Sequence, residues 1–124
     1  MSEQPERSMR DDETTVAELR AAMAAFVRER DWEQFHDPKN LSASIAIEAA
    51  ELMEHFQWLR SDELERVRDD PTQMELIAEE LADVTAFVLS FANALNIDVA
   101  AALSRKMKKN ALKYPADKFR GRFK

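Results

Sequence analysis

Residues 47–59 read IEAAELMEHFQWL, and this stretch combines a buried-helix pattern with two acidic side chains. Its large apolar residues are typical of a helix that lies in a protein core. Glu48 and Glu51 stand three positions apart, so their side chains share one face of that helix. Two like charges held together on a partly buried helix are unfavourable unless a cation lies close to them. The stretch therefore predicts a core helix with a cation beside Glu48 and Glu51.

The same pattern recurs in residues 79–95, which read EELADVTAFVLSFANAL. Glu80 and Asp83 are again three positions apart, and the residues after them are almost entirely apolar. Neither residues 41–59 nor residues 73–95 contain a lysine or an arginine. Because these acids have no cation within their own helix, either the basic last helix or a metal ion must supply it.

The composition predicts a single helical domain. At 124 residues the chain is long enough for one domain with a substantial core. One glycine and four prolines are few for a protein built on turns, and there is no cysteine for a disulfide framework. The polar first 13 residues do not resemble a signal peptide, and no apolar run approaches the roughly 18 residues that cross a bilayer. We therefore expect a cytoplasmic protein without a membrane segment.

Capping and helix-breaking residues divide the chain into four main helices. These are expected at residues 15–30, 41–59, 73–95 and 98–113, with a short helical segment capped by Ser61 between the second and third. Proposed helix ends are the capping boxes Thr15–Glu18 and Thr72–Glu75, the C-cap Asn96 and the N-cap Asp98. The sequence thus predicts an all-α four-helix bundle over residues 14–115, a disordered leader at 1–13 and a basic irregular tail at 116–124.

The net charge of −6 is unevenly distributed. Residues 105–124 hold nine of the 18 Lys and Arg but only one of the 24 acids, Asp117. The acidic remainder argues against a nucleic-acid duplex as the main partner. Three lysines and one asparagine of the last helix recur along one face, which indicates either a solvated charge run or a clamp for phosphate groups: Lys106, Lys109, Asn110 and Lys113.

Two interpretations of the acidic pairs remain open at this point. They are either exposed or paired with Arg105, Lys106 or Lys109, or else they face each other and form a pocket for a hard divalent cation. Oxygen ligands of this kind favour Mg²⁺ or Mn²⁺. A di-iron bundle would need Glu-x-x-His on two helices, but the chain has only two histidines, and Leu52 rather than a glutamate stands three residues before His55. Mg²⁺ usually completes its shell with water and substrate phosphates, which favours the phosphate clamp.

Five segments carry a resemblance to a known family, the MazG-like all-α nucleoside triphosphate pyrophosphohydrolases. Three of them match the family at large: IEAAEL (47–52), EELADV (79–84) and KMKKNALKYP (106–115). Two more are similar to its dCTP pyrophosphatase branch: RDWEQFHDPKNL (30–41) and EHFQWL (54–59). The resemblance implies Mg²⁺-dependent hydrolysis of a (deoxy)nucleoside triphosphate, dCTP or a modified dCTP above all, to the monophosphate and pyrophosphate. Such an enzyme would serve nucleotide-pool sanitation, and Mn²⁺ is a possible substitute for Mg²⁺.

The resemblance also implies site residues. The implied metal ligands are Glu48, Glu51, Glu80 and Asp83. Trp32 and Trp58 match positions around the base, and Lys106 and Asn110 match positions near the nucleotide. Further candidates for substrate contacts are Phe87, Lys109 and Tyr114. For catalysis we expect Lys106 to offset developing negative charge and Glu48 to orient the attacking water or take its proton, with Glu79 as the alternative base.

The sequence departs from the family pattern at three positions. Ile47 precedes Glu48 where the fuller motif begins with two acids, Met23 stands where dCTP-specific relatives often have His, and Phe87 where they often have Tyr. A strict cytosine preference therefore does not follow.

The family resemblance further implies a homo-oligomer, a dimer or tetramer, with sites near subunit interfaces. The apolar third helix agrees with this, because four short helices could hardly cover it. The competing hypotheses are a non-catalytic helical interaction module and a metal-binding bundle without hydrolysis.

Overall fold

The computed structural model describes residues 9–123, and over that range it contains helices and no strand. The helices are α1 (Val16–Glu29), α2 (Pro38–Glu54), α3 (Leu64–Arg68), α4 (Pro71–Leu95), α5 (Val99–Lys113) and α6 (Ala116–Phe119). Two single 3₁₀ turns, Glu33–Phe35 and Ser61–Glu63, lie between them. The predicted all-α class with four main helices is confirmed. Residues 1–8 of the predicted leader lie outside the described residues, and residues 11–13 form a turn.

Several helix ends are fixed by the residues that the sequence indicated. The Glu18 amide donates to Thr15 Oγ1 at 3.1 Å and the Thr15 amide to Glu18 Oε1 at 3.4 Å, which completes the capping box of α1. Asn96 ends α4 in the left-handed conformation, at φ 53°. Asp98 Oδ1 accepts from the Ala101 amide at 2.9 Å and so begins α5.

Two helix starts differ from the prediction, because a proline stands inside each helix and not before it. Asp37 and Asp70 are the N-caps of α2 and α4, and Pro38 and Pro71 occupy the first turn, where the missing N–H costs nothing. Asp70 Oδ1 accepts from the amides of the next two non-proline residues at 3.1 and 3.2 Å, so the predicted capping role of Thr72 is wrong.

The end of α2 and the segment after it also differ from the prediction. Helix α2 ends at Glu54, five residues early, because the amides of His55 and Phe56 donate three residues back and the chain tightens into a turn over 55–58. Ser61 does not cap a helix and lies within a 3₁₀ turn that leads into α3.

Helix α4 is the central element, and α1 and α2 both pack along it. Gln73 Nε2 lies 3.2 Å from His55 Nδ1, so the start of α4 meets the end of α2 and the two helices run antiparallel. At the other end of α4, Arg20 Nε donates to Asn93 Oδ1 at 3.0 Å, and Asn93 Nδ2 donates to the Arg20 carbonyl at 2.9 Å. These contacts fix the register of α1 and α2 on α4.

The buried core of the described chain is small and is shared by these three helices. Leu41 of α2 is 1% exposed, and the other buried apolar side chains are Val27 of α1 with Leu89 and Ala92 of α4. Helix α5 contributes no buried residue and is bent from α4 by 101°. The single chain therefore supplies three packed helices, while the fourth projects away from them.

The predicted irregular tail contains one more helical turn, α6. Pro115 precedes it at φ −57°, and Phe119 packs edge-on against Tyr114 with ring centroids 5.2 Å apart. That aromatic contact holds the turn against the end of α5. Among residues 9–123 no single helix has both the length and the apolarity to cross a bilayer; α4 and α5 pass that test only as a bent pair.

Candidate functional site

The two acidic pairs come together between α2 and α4. One carboxylate oxygen from each of Glu48, Glu80 and Asp83 lies within 4.8 Å of the others. Glu51, one turn after Glu48, lies within hydrogen-bonding reach of both Glu48 and Glu80. The antiparallel packing of α2 on α4 causes this convergence, because it places each i, i+3 pair opposite the other. We call these four carboxylates the acidic cluster.

Electrostatics within the acidic cluster are unfavourable in the absence of a cation. Burial raises the pKa of Glu48 from its ordinary 4.5 to about 7, helped by the hydrogen bond and charge of Glu51 and by the charges of Asp83 and Glu80. Burial and the charge of Glu51 also raise the pKa of Glu80, against a lowering effect of His55. One oxygen each of Glu48 and Glu80 is buried without a hydrogen-bond partner. A cation of high charge would relieve both conditions.

No lysine or arginine forms an ion pair with these acids within the described part of the chain. Over residues 9–123, the ion pairs lie elsewhere and join Arg10, Arg30, Arg60 and Arg68 to neighbouring acids. The alternative in which Arg105, Lys106 or Lys109 neutralises the acidic cluster is therefore not realised within the described chain.

An aromatic-walled cavity opens directly beside the acidic cluster. It has a volume of about 280 Å³, and Asp83 belongs both to its lining and to the cluster. Trp32 and Phe87 line it, with the ring of His36 between them at centroid distances of 6.5 and 6.4 Å. Helix α4 presents Asp83 and Phe87 one turn apart on the same face, so a cation at the acidic cluster could hold the anionic group of a molecule whose flat ring lies in the cavity.

A second cavity of about 410 Å³ continues from the first toward the end of α4. The two share four lining residues: Met23, Val27, His36 and Ser90. Its far side is polar and includes Arg28, Glu33 and Asn93. We call the first space the aromatic cavity and the second the distal cavity.

The other predicted substrate residues lie apart from this site in the single chain. Lys106, Lys109 and Asn110 are exposed on the projecting α5. Trp58 is 85% exposed in the turn after α2. Tyr114 caps the end of α5, where its ring contacts Phe119 and the Lys113 ammonium lies 5.2 Å from the ring centroid. The structure thus joins Trp32 and Phe87 to the acidic cluster and leaves the α5 residues outside it.

Three residues near the site were not assigned a role from the sequence. His55 bonds to Gln73 and acts electrostatically on Glu80, and its spacing of four from Glu51 already placed it on the acidic stripe. His36 lies four residues after Trp32, and Ser90 continues the helical stripe that begins with Glu80. Helical periodicity was the available signal in α2 and α4, whereas His36 sits in a loop whose conformation periodicity does not determine.

The MazG-like family matches residues 43–124. The chain is 37% identical over 109 residues to dCTP pyrophosphatase 1 of Rattus norvegicus, covering 88% of this chain and 64% of that protein. It is 38% identical over 104 residues to dCTP pyrophosphatase 1 of Homo sapiens, covering 84% and 61%. The chain therefore spans less than two thirds of the length of these relatives.

A solved structure also matches most of this chain. A pyrophosphatase from Archaeoglobus fulgidus DSM 4304 superposes with a TM-score of 0.73 at 37% identity, covering 87% of this chain and 99% of that one. The acidic cluster, its helices and the matched range together show that this chain belongs to the MazG-like family.

Proposed function

We propose that this protein is a Mg²⁺-dependent nucleoside triphosphate pyrophosphohydrolase. It converts a (deoxy)nucleoside triphosphate, dCTP or a modified dCTP, to the monophosphate and pyrophosphate and so removes surplus or altered nucleotides from the cytoplasmic pool. One observation carries the proposal: an uncompensated acidic cluster shares Asp83 with an aromatic-walled cavity. That arrangement suits a ligand with a metal-bound phosphate chain and a flat base. The names of the mammalian relatives support dCTP as substrate.

The residues of the acidic cluster fit a bound Mg²⁺. Three carboxylate oxygens within 4.8 Å of one another, all from rigid helices, match the oxygen ligands that Mg²⁺ prefers. The buried, unpartnered oxygens of Glu48 and Glu80 have the free lone pairs that ligands need. We assign Glu48, Glu51, Glu80 and Asp83 as the residues that hold the metal, with Mn²⁺ as a substitute.

The reaction requires charge stabilisation around the α-phosphorus. Bound Mg²⁺ would supply Lewis-acid stabilisation of the phosphate oxygens and a more acidic water. Glu48 has two carboxylate oxygens, so it can bind metal through one and accept a proton from the attacking water through the other. Trp32 and Phe87 hold the base in the aromatic cavity, which sets the distance between the α-phosphorus and the acidic cluster.

The remaining substrate residues require a second copy of the chain. The helix that carries Lys106, Lys109 and Asn110 packs little against its own chain, and Trp58 and Tyr114 are both exposed. We propose that α5 of one copy packs near the site of another. There Lys106 and Lys109 would offset charge on the leaving pyrophosphate, and Asn110, Tyr114 and Trp58 would contact the nucleotide.

Exposed surface supports this oligomer. The chain exposes 10565 Å², whereas a folded monomer of 14.3 kDa is expected to expose about 6,800 Å². The nine residues outside the description could add at most about 1,600 Å² at the value for an unfolded chain. Large apolar side chains are among the exposed residues of α5, where Leu103 is 59% and Met107 61% exposed. A dimer or tetramer would cover them.

Stability of the metal-free protein should fall as pH rises. The pKa of Glu48 is raised in the folded state, so folding favours its protonated form; that contribution is complete below about pH 4.5 and is lost as pH rises through about 7. Chemical denaturation at several pH values between 5 and 8 measures the free energy of unfolding. We expect the free energy of unfolding to fall less steeply with pH in Glu48→Gln than in wild type, and as steeply as in wild type in the exposed control Glu75→Gln. Adding Mg²⁺ to wild type should restore the free energy of unfolding that is lost at high pH. Equal slopes in wild type and Glu48→Gln would contradict the assignment.

Turnover tests the reaction itself. Purified protein with Mg²⁺ and a panel of dNTPs, NTPs and 5-modified dCTPs should release monophosphate and pyrophosphate, resolved chromatographically from orthophosphate. EDTA should abolish the activity, and Asp83→Asn should lower it by about 100-fold or more, since it removes a metal ligand beside the base cavity. Glu75→Gln, on the same helix, should retain it. A folded, metal-binding protein that turns over no nucleotide would leave a binding module as the better hypothesis.

The oligomer is tested by light scattering after size exclusion. Wild type should have two or four times the 14.3 kDa chain mass. Leu103→Glu places a charge on the apolar face of α5 and should lower both the mass and the turnover, whereas the neighbouring exposed substitution Ser104→Glu should lower neither. If the wild-type protein is active as a monomer, the proposal that two copies of the chain share each site is wrong.

A further inference from the structure

Ser90 is a buried hydroxyl group that has no hydrogen-bond partner. The residue is 5% exposed, and its Oγ finds no donor or acceptor in the structure. Thr85 on the same helix behaves in the ordinary way, since its hydroxyl donates to the Leu81 carbonyl at 2.8 Å. Because a buried polar group without a partner costs stability, Ser90 is a poor choice for a purely structural position on α4.

His36 repeats this feature on the opposite side of the cavity. Its Nδ1 is buried and unpartnered, while its ring lies between Trp32 and Phe87. An imidazole nitrogen can donate or accept according to the tautomer, and a hydroxyl can do both. His36 and Ser90 line both the aromatic and the distal cavity, so the two free polar groups stand where those cavities join.

Besides Ser90 and His36, the side chains with hydrogen-bonding atoms that line the aromatic cavity are Asp83 and Trp32, whose indole N–H can donate. Met23, Val27 and Phe87 are apolar, and the remaining acid, Asp83, belongs to the acidic cluster. A planar base that enters beside Asp83 therefore meets aromatic and aliphatic walls first and the two free polar groups at depth. Unpaired polar groups in such a place discriminate strongly between ligands that satisfy them and ligands that do not.

We propose that the Ser90 hydroxyl and His36 Nδ1 read the polar edge of the nucleobase and are the specificity-determining groups of this protein. The inference rests on the proposed function and goes beyond it by assigning the hydrogen-bonding atoms. The ligand class is a nucleoside triphosphate whose base edge carries both donors and acceptors, such as an aminopyrimidine. Met23 and Phe87 supply contact area without hydrogen bonds.

The test compares substrates with and without a base. Ser90→Ala removes only the hydroxyl, and His36→Phe keeps an aromatic ring while removing Nδ1. Each variant is assayed for kcat/KM with dCTP and with 2-deoxyribose 5-triphosphate, which has the same phosphate chain and no base. Thr85→Ala is the matched control, because its hydroxyl lies on the same helix, is exposed and is already bonded.

We expect Ser90→Ala and His36→Phe each to lower kcat/KM for dCTP by about 3- to 10-fold and to leave the base-free substrate unchanged. Nucleotide-free Ser90→Ala should melt at the same or a higher temperature than wild type, since an unsatisfied buried group is removed. Equal losses on both substrates, no loss on dCTP, or a lower melting temperature for Ser90→Ala with wild-type kinetics would overturn the inference.

A binding assay separates this inference from the proposed function. The α,β-imido analogue of dCTP cannot release pyrophosphate, and its affinity in the presence of Mg²⁺ is measured by calorimetry. If wild type binds it but hydrolyses no nucleotide, the proposed function fails, and weaker binding by Ser90→Ala and His36→Phe still supports base reading. Unchanged binding by both variants, or no binding by wild type, overturns base reading.

Discussion

The mutual repulsion of four carboxylates on two antiparallel helices is the constraint on which the rest of the molecule depends. The middle of α4 packs against α2 at these four acids, Glu48, Glu51, Glu80 and Asp83. Neither residues 41–59 nor residues 73–95 contain a lysine or an arginine. Burial and neighbouring charge raise the pKa of Glu48 to about 7. A fold that keeps such a cluster loses stability at neutral pH unless a cation binds, so the cluster ties folding to ligand chemistry.

Other features near the acidic cluster also lower the stability of the chain when no ligand is bound. Among residues 9–123, apolar burial is confined to a few residues where α1, α2 and α4 meet, and the adjoining aromatic cavity leaves Ser90 Oγ and His36 Nδ1 unsatisfied. The projecting α5 leaves a further apolar face uncovered. Each of these features disfavours the isolated, empty chain. In the proposed function, metal, base and a second copy of the chain would each remove one of them.

Local rules were sufficient to predict much of this arrangement. The helices and their ends at Thr15, Asn96 and Asp98 depend on nearby residues. Acids three positions apart in helical segments without lysine or arginine imply a shared acidic face. Pro38 and Pro71 misled the prediction of helix starts, because a proline signals a boundary without saying on which side it lies. The junction of His36 and Ser90 depends on how a loop docks onto α4. The direction of α5 depends on the bend over residues 96–98, so periodicity could predict neither.

Metal binding by the acidic cluster is the central claim, and Mn²⁺ titration of metal-free protein at pH 8 tests it most directly. The loss of the free-ion electron paramagnetic resonance signal reports bound Mn²⁺ without nucleotide or turnover. Wild type and Glu75→Gln should bind alike, and Glu51→Gln should bind at least about 10-fold more weakly, since losing a ligand should cost no less than losing a residue that supports one. Equal binding by Glu51→Gln and wild type, or no binding by wild type, would contradict the account.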